Sequence, residues 1–365
     1  MDWKNFSYTT QWARFCHWFE GVFTSFGGKL PAVRTPLPES EQDALRARLE
    51  PLSVELEMQR LATVDAVDAT ARLWVTGVMV AALVLVFGAG GGVVAALAVA
   101  AFAGLGTFAI VQNAPAERYR LAVKQAFGGA VSDHLSGFSY TARPEPDANR
   151  IQSWRLFPRI DRITVEDRMT GQRMGREVAL SRLTVVYGRT GGKNKRNLSV
   201  GALCTEVETG PGVEGVNVII PHTIGPRLRD APGKVHGLTS VATGDEGFDT
   251  RYCLWSSAPD AVASWMNVDM RARILALEGE APILIFLPRY LAVLFPLTGL
   301  AQPFTPRPFW DPLETDQTLA LFASDLADKH ARLMTTLEIW PAQEAEDGPG
   351  PEGGPDGGAG PRSDA

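Results

Sequence analysis

Between residues 73 and 116 the chain carries no charged side chain, and most positions are apolar. A glycine-rich stretch at 88–92 divides this window into two apolar runs. About 20 apolar residues in a helix span the hydrocarbon core of a bilayer. A helix of a soluble core usually keeps one polar face, which this window lacks. The pattern therefore predicts a transmembrane helical hairpin over residues 73–112, with helices at 73–90 and 93–111.

The second apolar run is rich in alanine and is less hydrophobic than the first. Within it, Ala100 and Gly104 form a small-xxx-small pair of the kind that lets membrane helices approach closely. We expect the second helix to insert against the first one.

Basic residues flank both apolar runs, whereas the glycine-rich connection has none. They are Arg60, Arg72, Arg118, Arg120 and Lys124. Flanks rich in Lys and Arg stay in the cytoplasm, so both chain ends are predicted to be cytoplasmic, in a two-pass protein of the bacterial inner (plasma) membrane. The three cysteines have unrelated spacings, which fits a reducing compartment.

The two ends of the chain differ from the rest in composition. Residues 1–38 form an aromatic amphipathic segment followed by a proline-rich linker. Such a segment either lies on the membrane surface or packs on the cytosolic domain, and the sequence leaves both alternatives open. The acidic, Gly/Pro-rich tail at 342–365 has no large apolar side chain, so it is predicted to be disordered.

Helical patterns continue outside both spans. Residues 39–72 are predicted to form a cytosolic helix, in which Pro51 should cause a kink or a break. After the second span, residues 116–135 continue as a helix that we expect to bend or break at Gly128 and Gly129.

Residues 113–341 are predicted to form a cytosolic domain of mixed strands and helices. Helices are predicted at 259–277 and 315–339, and Thr170 and Gly171 are predicted to lie in a hairpin turn. The candidate strands are residues 138–141, 162–167, 178–187, 198–208, 216–221, 251–255 and 283–287. Strand hairpins followed by helices favour an α+β fold over a doubly wound sheet. The predicted fold class is therefore α+β, with N-terminal helices and a two-helix transmembrane hairpin preceding this domain.

The titratable residues form no recognisable catalytic motif. The tail accounts for five of the six net negative charges, so the remainder is nearly neutral and no basic domain indicates nucleic acid. The five histidines lack metal-ligand spacing, and no Cys-x-x-Cys pair is present. We therefore predict no catalytic residue, no cofactor and no metal.

Two groups of residues are candidate binding sites. A predicted hairpin loop is placed either to touch anionic lipid headgroups or simply to be solvated. Its basic residues are Arg189, Lys193, Lys195 and Arg196. His222 follows a predicted strand, and with Arg227 and Arg229 downstream it is a candidate anion site.

Glu166 and Asp167 are adjacent acids in a predicted strand. In a regular strand neighbouring side chains point to opposite faces, so this pair is not expected to share a ligand. Asp167 is expected instead to cap the turn before Gly171.

Several segments together carry a family resemblance. They are residues 49–60 (LEPLSVELEMQR), the apolar hairpin, Glu166-Asp167 with Thr170-Gly171, residues 247–252 (GFDTRY) and residues 270–275 (MRARIL). In this order they resemble a bacterial family of two-pass membrane proteins known as a domain of unknown function (number 3137). The resemblance covers roughly residues 45–340 and is lost around residues 200–204. It implies membrane residence and a cytosolic α+β domain, but no catalytic residue, substrate or cofactor.

The sequence thus supports three hypotheses about function. The first is a non-enzymatic inner-membrane protein whose cytosolic domain binds a protein partner or anionic lipid. The alternative is a membrane-tethered enzyme with its site near His222, Arg227 and Arg229. The third is a subunit of a transport assembly, although two spans without an intramembrane ionisable residue argue against transport by this chain alone.

Overall fold

The computed structural model describes residues 7–12, 14, 39–134, 138–188, 198–209, 213–277, 282–297, 309–313 and 315–340. A short helix, α1, occupies residues 8–12. Two long helices follow, α2 (Glu39–Gly88) and α3 (Val93–His134). At about 1.5 Å per residue they are roughly 75 and 63 Å long, about twice what a bilayer core requires.

Neither long helix is interrupted outside the apolar window. Pro51 lies inside α2, so the predicted helix at 39–72 and the first span form one continuous element. Gly128 and Gly129 lie inside α3, which continues to His134. The expected division at Pro51 and break at Gly128 and Gly129 are therefore wrong, and the kink or bend that was the other expectation at these positions stays a prediction.

The two long helices pack through small side chains. Ala96, Ala100, Gly104 and Phe108 recur every four residues along α3 and are all buried. A Cβ atom added to Gly104 would lie 2.8 Å from the Met79 side chain of α2. The predicted pair of Ala100 and Gly104 therefore lies on the face of α3 that contacts α2.

Both helices are long and apolar enough to cross a membrane. Only 11% of the most apolar window of α2 and 22% of that of α3 is buried, so neither resembles the core helix of a soluble protein. Large apolar side chains are exposed throughout residues 73–110. They are Leu73, Trp74, Val80, Val84, Leu85, Phe87, Val93, Val94, Leu97, Val99, Phe102, Leu105 and Ile110.

The remaining chain builds a nine-stranded antiparallel sheet in the order β1-β2-β3-β4-β9-β8-β5-β7-β6, which makes the domain α+β as predicted. The strands are β1 (Ser139–Thr141), β2 (Ile160–Arg173), β3 (Arg176–Tyr187), β4 (Leu198–Glu208), β5 (Asn217–Pro221), β6 (Thr239–Val241), β7 (Tyr252–Ser256), β8 (Ile283–Leu287) and β9 (Tyr290–Pro296). All seven predicted strands are present, whereas β6 and β9 were not predicted.

The β2–β3 hairpin turns later than predicted. Thr170 and Gly171 lie within β2, paired with Ala179 and Val178 of β3. The turn is formed by Met174 and Gly175, whose φ angles are +52° and +72°. A two-residue turn with both φ angles positive matches the twist of antiparallel strands, so this turn sets the register.

Short helices join the strands, and two of them replace one predicted helix. Residues 259–277 contain a 3-10 turn (Pro259–Ala261), α8 (Val262–Trp265) and α9 (Val268–Leu275). The break falls at Asn267, whose side chain accepts a hydrogen bond from the Met270 amide and caps α9. The other helices are α4 (Ala148–Ser153), α5 (Pro226–Arg229), α6 (Ala231–His236), α7 (Glu246–Asp249) and α10 (Thr315–Ile339), the last with its predicted limits.

The helices cover both faces of the sheet. On one face α10 packs over β4 and touches both long helices, joining the helix pair to the sheet in one apolar core. On the other face, Ile151 of α4 and Leu228 of α5 pack on β2, β3, β4 and β5. The helix pair is thus attached at the β1–β2 edge of the sheet, through α3 and α10.

Candidate functional site at the junction of helix and sheet

A buried ion pair joins α3 to β2. Lys124 Nζ lies 3.0 Å from Asp167 Oδ1 and 3.6 Å from Glu166 Oε2. The register of β2 against β3 shifts between Glu166 and Met169, and Asp167 adopts a φ of +52°. This bulge brings both adjacent acids to one lysine. The expectations that they point apart, and that Asp167 caps a turn, are therefore wrong because the strand is irregular here.

Tyr140 of β1 completes this junction. Its hydroxyl donates a hydrogen bond of 2.7 Å to Asp167 Oδ1. Burial and the nearby Asp167 carboxylate raise the pKa of Tyr140, so the phenol keeps its proton. A Cβ atom on Gly128 would lie 2.3 Å from the Tyr140 ring, so this glycine lets α3 approach β1.

A more exposed layer of charges continues from the junction toward the apolar window. Arg120 binds Glu117 at 2.8 Å and lies 3.7 Å from Glu166, while Arg143 lies 3.1 Å from Glu117. The hydrogen bond from Arg120 lowers the pKa of Glu117, which therefore stays ionised. Alternating acids and bases thus bind α3 to β2 and to the segment that follows β1.

The helix α1 packs where the charge-free window begins. The Thr9 amide donates a hydrogen bond of 2.8 Å to Asp68 Oδ1, and the Tyr8 hydroxyl lies 2.9 Å from Thr76 Oγ1. Trp12 packs on Phe108 of α3, with ring centroids 5.4 Å apart. This part of the N-terminal segment therefore contacts the helix pair itself, and residues 15–38 lie outside the described residues.

The predicted anion site near His222 is an exposed surface. His222 Nε2 lies 3.1 Å from the Asp249 carbonyl oxygen. Arg229 pairs with Asp230, its Nε 3.1 Å from a carboxylate oxygen, and Arg227 is exposed. The three predicted residues lie at the end of β5 and on α5, where the His222 ring lies against a backbone carbonyl and Arg229 is paired with Asp230.

Sequence reasoning missed that Cys253 lies beside His222. Antiparallel pairing of β5 and β7 produces this contact, since Ile220 is opposite Cys253. The sulfur lies 3.5 Å from Nδ1 and 3.6 Å from Nε2 of His222. Near-equal distances place it over the ring or at the carbon between the nitrogens, away from the in-plane lone pair that would accept its proton. Burial also raises the thiol pKa, so this pair is not arranged as a nucleophile and base.

A polar pocket lies under α4, on the face of the sheet that α10 does not cover. It contains Glu206 between Arg150 and Arg168. Arg150 Nε lies 2.9 Å from Glu206, and its guanidinium stacks 4.4 Å from the Tyr290 ring centroid. Burial raises the pKa of Glu206, although the two arginines oppose this effect. The charges within the pocket therefore largely balance one another.

The four basic residues predicted to meet lipid, Arg189, Lys193, Lys195 and Arg196, lie outside the described residues. The described stretch that precedes them runs to Gly188, directly after β3. Within the described part of the chain, no group of three or more His, Cys, Asp or Glu side chains is arranged to hold a metal ion.

These features define a class of protein: an α+β domain carried on two helices long and apolar enough to cross a membrane. No protein-family model matches the chain, and no curated protein matches it either. The resemblance to the family of two-pass membrane proteins therefore stays a prediction.

Among solved structures, the chain is similar to the mycobacterial trehalose monomycolate transport factor A, TtfA. The two sequences are 13% identical, and the similarity covers 60% of this chain and 97% of that chain. The TM-score is 0.32, so this similarity carries no argument about fold or function.

Proposed function

We propose that this protein is a non-enzymatic scaffold of the bacterial inner membrane. A two-pass helical hairpin anchors it, and a cytosolic α+β domain binds a protein partner or anionic lipid. The observation that carries the proposal is the row of exposed apolar side chains between residues 73 and 110, on helices that continue without a break into the sheet domain. Such a surface is stable in lipid and costly in water.

The proposed topology places both chain ends in the cytoplasm. Arg72 precedes the first span, Arg118 follows the second, and the connection at residues 88–92 has no basic residue. The buried junction around Lys124 supports a scaffold role, because it fixes the domain relative to the membrane helices. The charged clusters described above are paired internally, which gives catalysis no support.

A pair of arginine substitutions tests the anchor. Phe102, 77% exposed, is central in the second span, and Met174, 65% exposed, lies in the β2–β3 turn. We expect Phe102→Arg to reduce retention in carbonate-washed membranes, because arginine at the centre of a span costs about 2.5–3.5 kcal/mol. Met174→Arg, the matched control, should be retained like the wild type.

Equal retention of both variants, or release of the wild type by carbonate, overturns the anchor. Reporters fused after Ala365 test the topology. A reporter that works only in the cytoplasm should be active there, whereas activity of a reporter that works only in the periplasm overturns the cytoplasmic position of the C-terminus. Pull-down from native membranes distinguishes a protein partner from lipid alone. A membrane protein that co-purifies stably would show that the domain binds a protein partner.

A further inference from the structure

The direction of the strands relative to the membrane follows from the contacts of α3. The Gln125 side chain binds the Tyr140 carbonyl oxygen and the Ala142 amide, at 3.0 and 3.1 Å. Glu117, nearer the apolar window, binds Arg143 at 3.1 Å. Strand β1 and the residues after it therefore run antiparallel to α3, back toward the membrane.

This direction fixes the orientation of the neighbouring strands. Strands β1, β2 and β3 are antiparallel in turn. The end of the sheet at which Ile160 pairs with Tyr187 therefore lies toward the membrane, and the turn at Met174 lies away from it. In the sequence, the segment 189–196 with the four basic residues predicted to meet lipid comes shortly after Tyr187.

Helix and strand rises give the heights. Arg120 lies nine residues beyond residue 111, the end of the predicted span, which is about 14 Å along α3. Glu166 lies beside Arg120, and Arg162 comes four residues earlier on β2, about 13 Å back toward the membrane. Arg162 thus reaches the headgroup layer, which extends roughly 5–8 Å beyond the hydrocarbon core on each side.

This end of the sheet is basic. Arg159 and Arg162 are exposed there, Arg155 is exposed on the segment that leads from α4 into β2, and Asp161 lies 3.5 Å from Arg159. The charges of these three arginines and one aspartate sum to +2. Basic groups near an anionic membrane surface are attracted to it, and this attraction can orient a domain that is already anchored.

We infer that Arg155, Arg159 and Arg162 form a docking surface for the anionic headgroups of the membrane that holds the hairpin. This inference rests on the proposed function, since it requires the hairpin to be in the bilayer. The docking surface holds the end of the sheet at which Ile160 pairs with Tyr187 against the lipid, while the Met174 turn points into the cytoplasm.

Fluorescence quenching in nanodiscs tests this placement. The full chain, with Cys16→Ser and Cys253→Ser, is labelled at Arg162→Cys or, as the matched control, at Met174→Cys. The bilayer carries lipids with a nitroxide on the headgroup and 30% anionic lipid. We expect several-fold stronger quenching at position 162 than at 174. Equal quenching in protein that has entered nanodiscs overturns the docking surface but leaves the anchor intact, whereas failure to enter nanodiscs counts against the anchor.

Charge reversal tests the role of the arginines. With the label at position 162, Arg155→Glu/Arg159→Glu is compared with Arg273→Glu/Arg289→Glu, two exposed arginines elsewhere on the domain. In anionic nanodiscs the first pair should lose at least half of the quenching, and the second should keep it. Without anionic lipid, the labelled protein that keeps Arg155 and Arg159 should be quenched less, to the same level as the Arg155→Glu/Arg159→Glu variant. If quenching at position 162 changes neither with the lipid charge nor with Arg155→Glu/Arg159→Glu, headgroup recognition is overturned.

Discussion

Lys124 of α3 and Asp167 of the bulged strand β2 form an ion pair of 3.0 Å, and only 1% and 3% of their side chains are exposed. Burying two charges carries a desolvation cost that their attraction only partly offsets, so such a pair is poor evidence for added stability. It does penalise every arrangement in which the two residues separate. We interpret it as the contact that fixes the height of the sheet along α3.

Lys124→Met should destabilise the protein by about 3–5 kcal/mol, because it leaves the Asp167 carboxylate buried without its cation. Thermal unfolding of the full chain in detergent, followed by tryptophan fluorescence, measures the change. Adding Asp167→Asn should recover part of the loss, since asparagine tolerates the positive φ and removes the stranded charge.

The control for this prediction is Arg48→Met, which removes an exposed ion pair between α2 and Asp133 of α3. It should cost at most about 1 kcal/mol. Similar losses for Lys124→Met and Arg48→Met would show that burial does not govern the pair.

Gly104→Val should weaken the packing of the two long helices. A Cβ atom at this position meets the Met79 side chain at 2.8 Å and Val75 at 3.4 Å, so either Met79 or the helices have to move. Overpacking of this kind costs about 1–3 kcal/mol. Thermal unfolding in the same detergent should show the loss.

Gly106→Val provides the matched comparison, since a Cβ atom there has no neighbour within 4 Å. Both variants place the same β-branched residue in the same helix, so the intrinsic backbone effect cancels. An equal fall in melting temperature for the two variants would contradict close packing at Gly104.

Glu206 should make a contribution to stability that depends on pH. Its folded-state pKa is raised by burial above the ordinary value of 4.5, so folding favours the protonated acid. The contribution is therefore fully present below about pH 4.5 and is lost as the pH rises through the folded-state pKa. Glu206→Gln stays neutral, so its melting temperature should gain on that of the wild type between pH 4.5 and pH 8.

Comparing the variant with the wild type at each pH removes the opposite effect of Glu117, whose lowered pKa destabilises the fold as the pH falls. Glu208→Gln, an exposed acid on the same strand, serves as the control and should show a smaller change with pH. If the difference in melting temperature between Glu206→Gln and the wild type stays constant from pH 4.5 to pH 8, folding does not raise the pKa of the Glu206 carboxyl.

Elements whose pattern is local were predictable. The predicted helix at 315–339 and the predicted strand at 198–208 have the observed limits, because apolar periodicity marks both along the chain. Strand β9 was missed for two reasons. It begins only two residues after β8, and its continuous apolar run is equally typical of a buried strand and of a buried helix. The division between α8 and α9 depends on a cap at Asn267 that helical periodicity does not reveal.

The junction itself could not be predicted. Glu166 and Asp167 are informative only after the bulge is known, because a shift of one residue decides which face of the strand a side chain occupies. The contact of Cys253 with His222 likewise depends on the pairing of β5 with β7. A partner more than 30 residues away in the chain leaves no periodic mark on either segment.

By itself the sequence determined where the apolar helices lie and that an α+β domain follows them. Hydrophobicity and periodicity act over a few neighbouring residues, so they can be read along the chain. The tertiary structure alone decided which end of the sheet lies toward the apolar window of α3, because that depends on Lys124 meeting Asp167 and Glu117 meeting Arg143 across long separations. Those contacts are set by strand register and by the bulge in β2, which are properties of the packed fold.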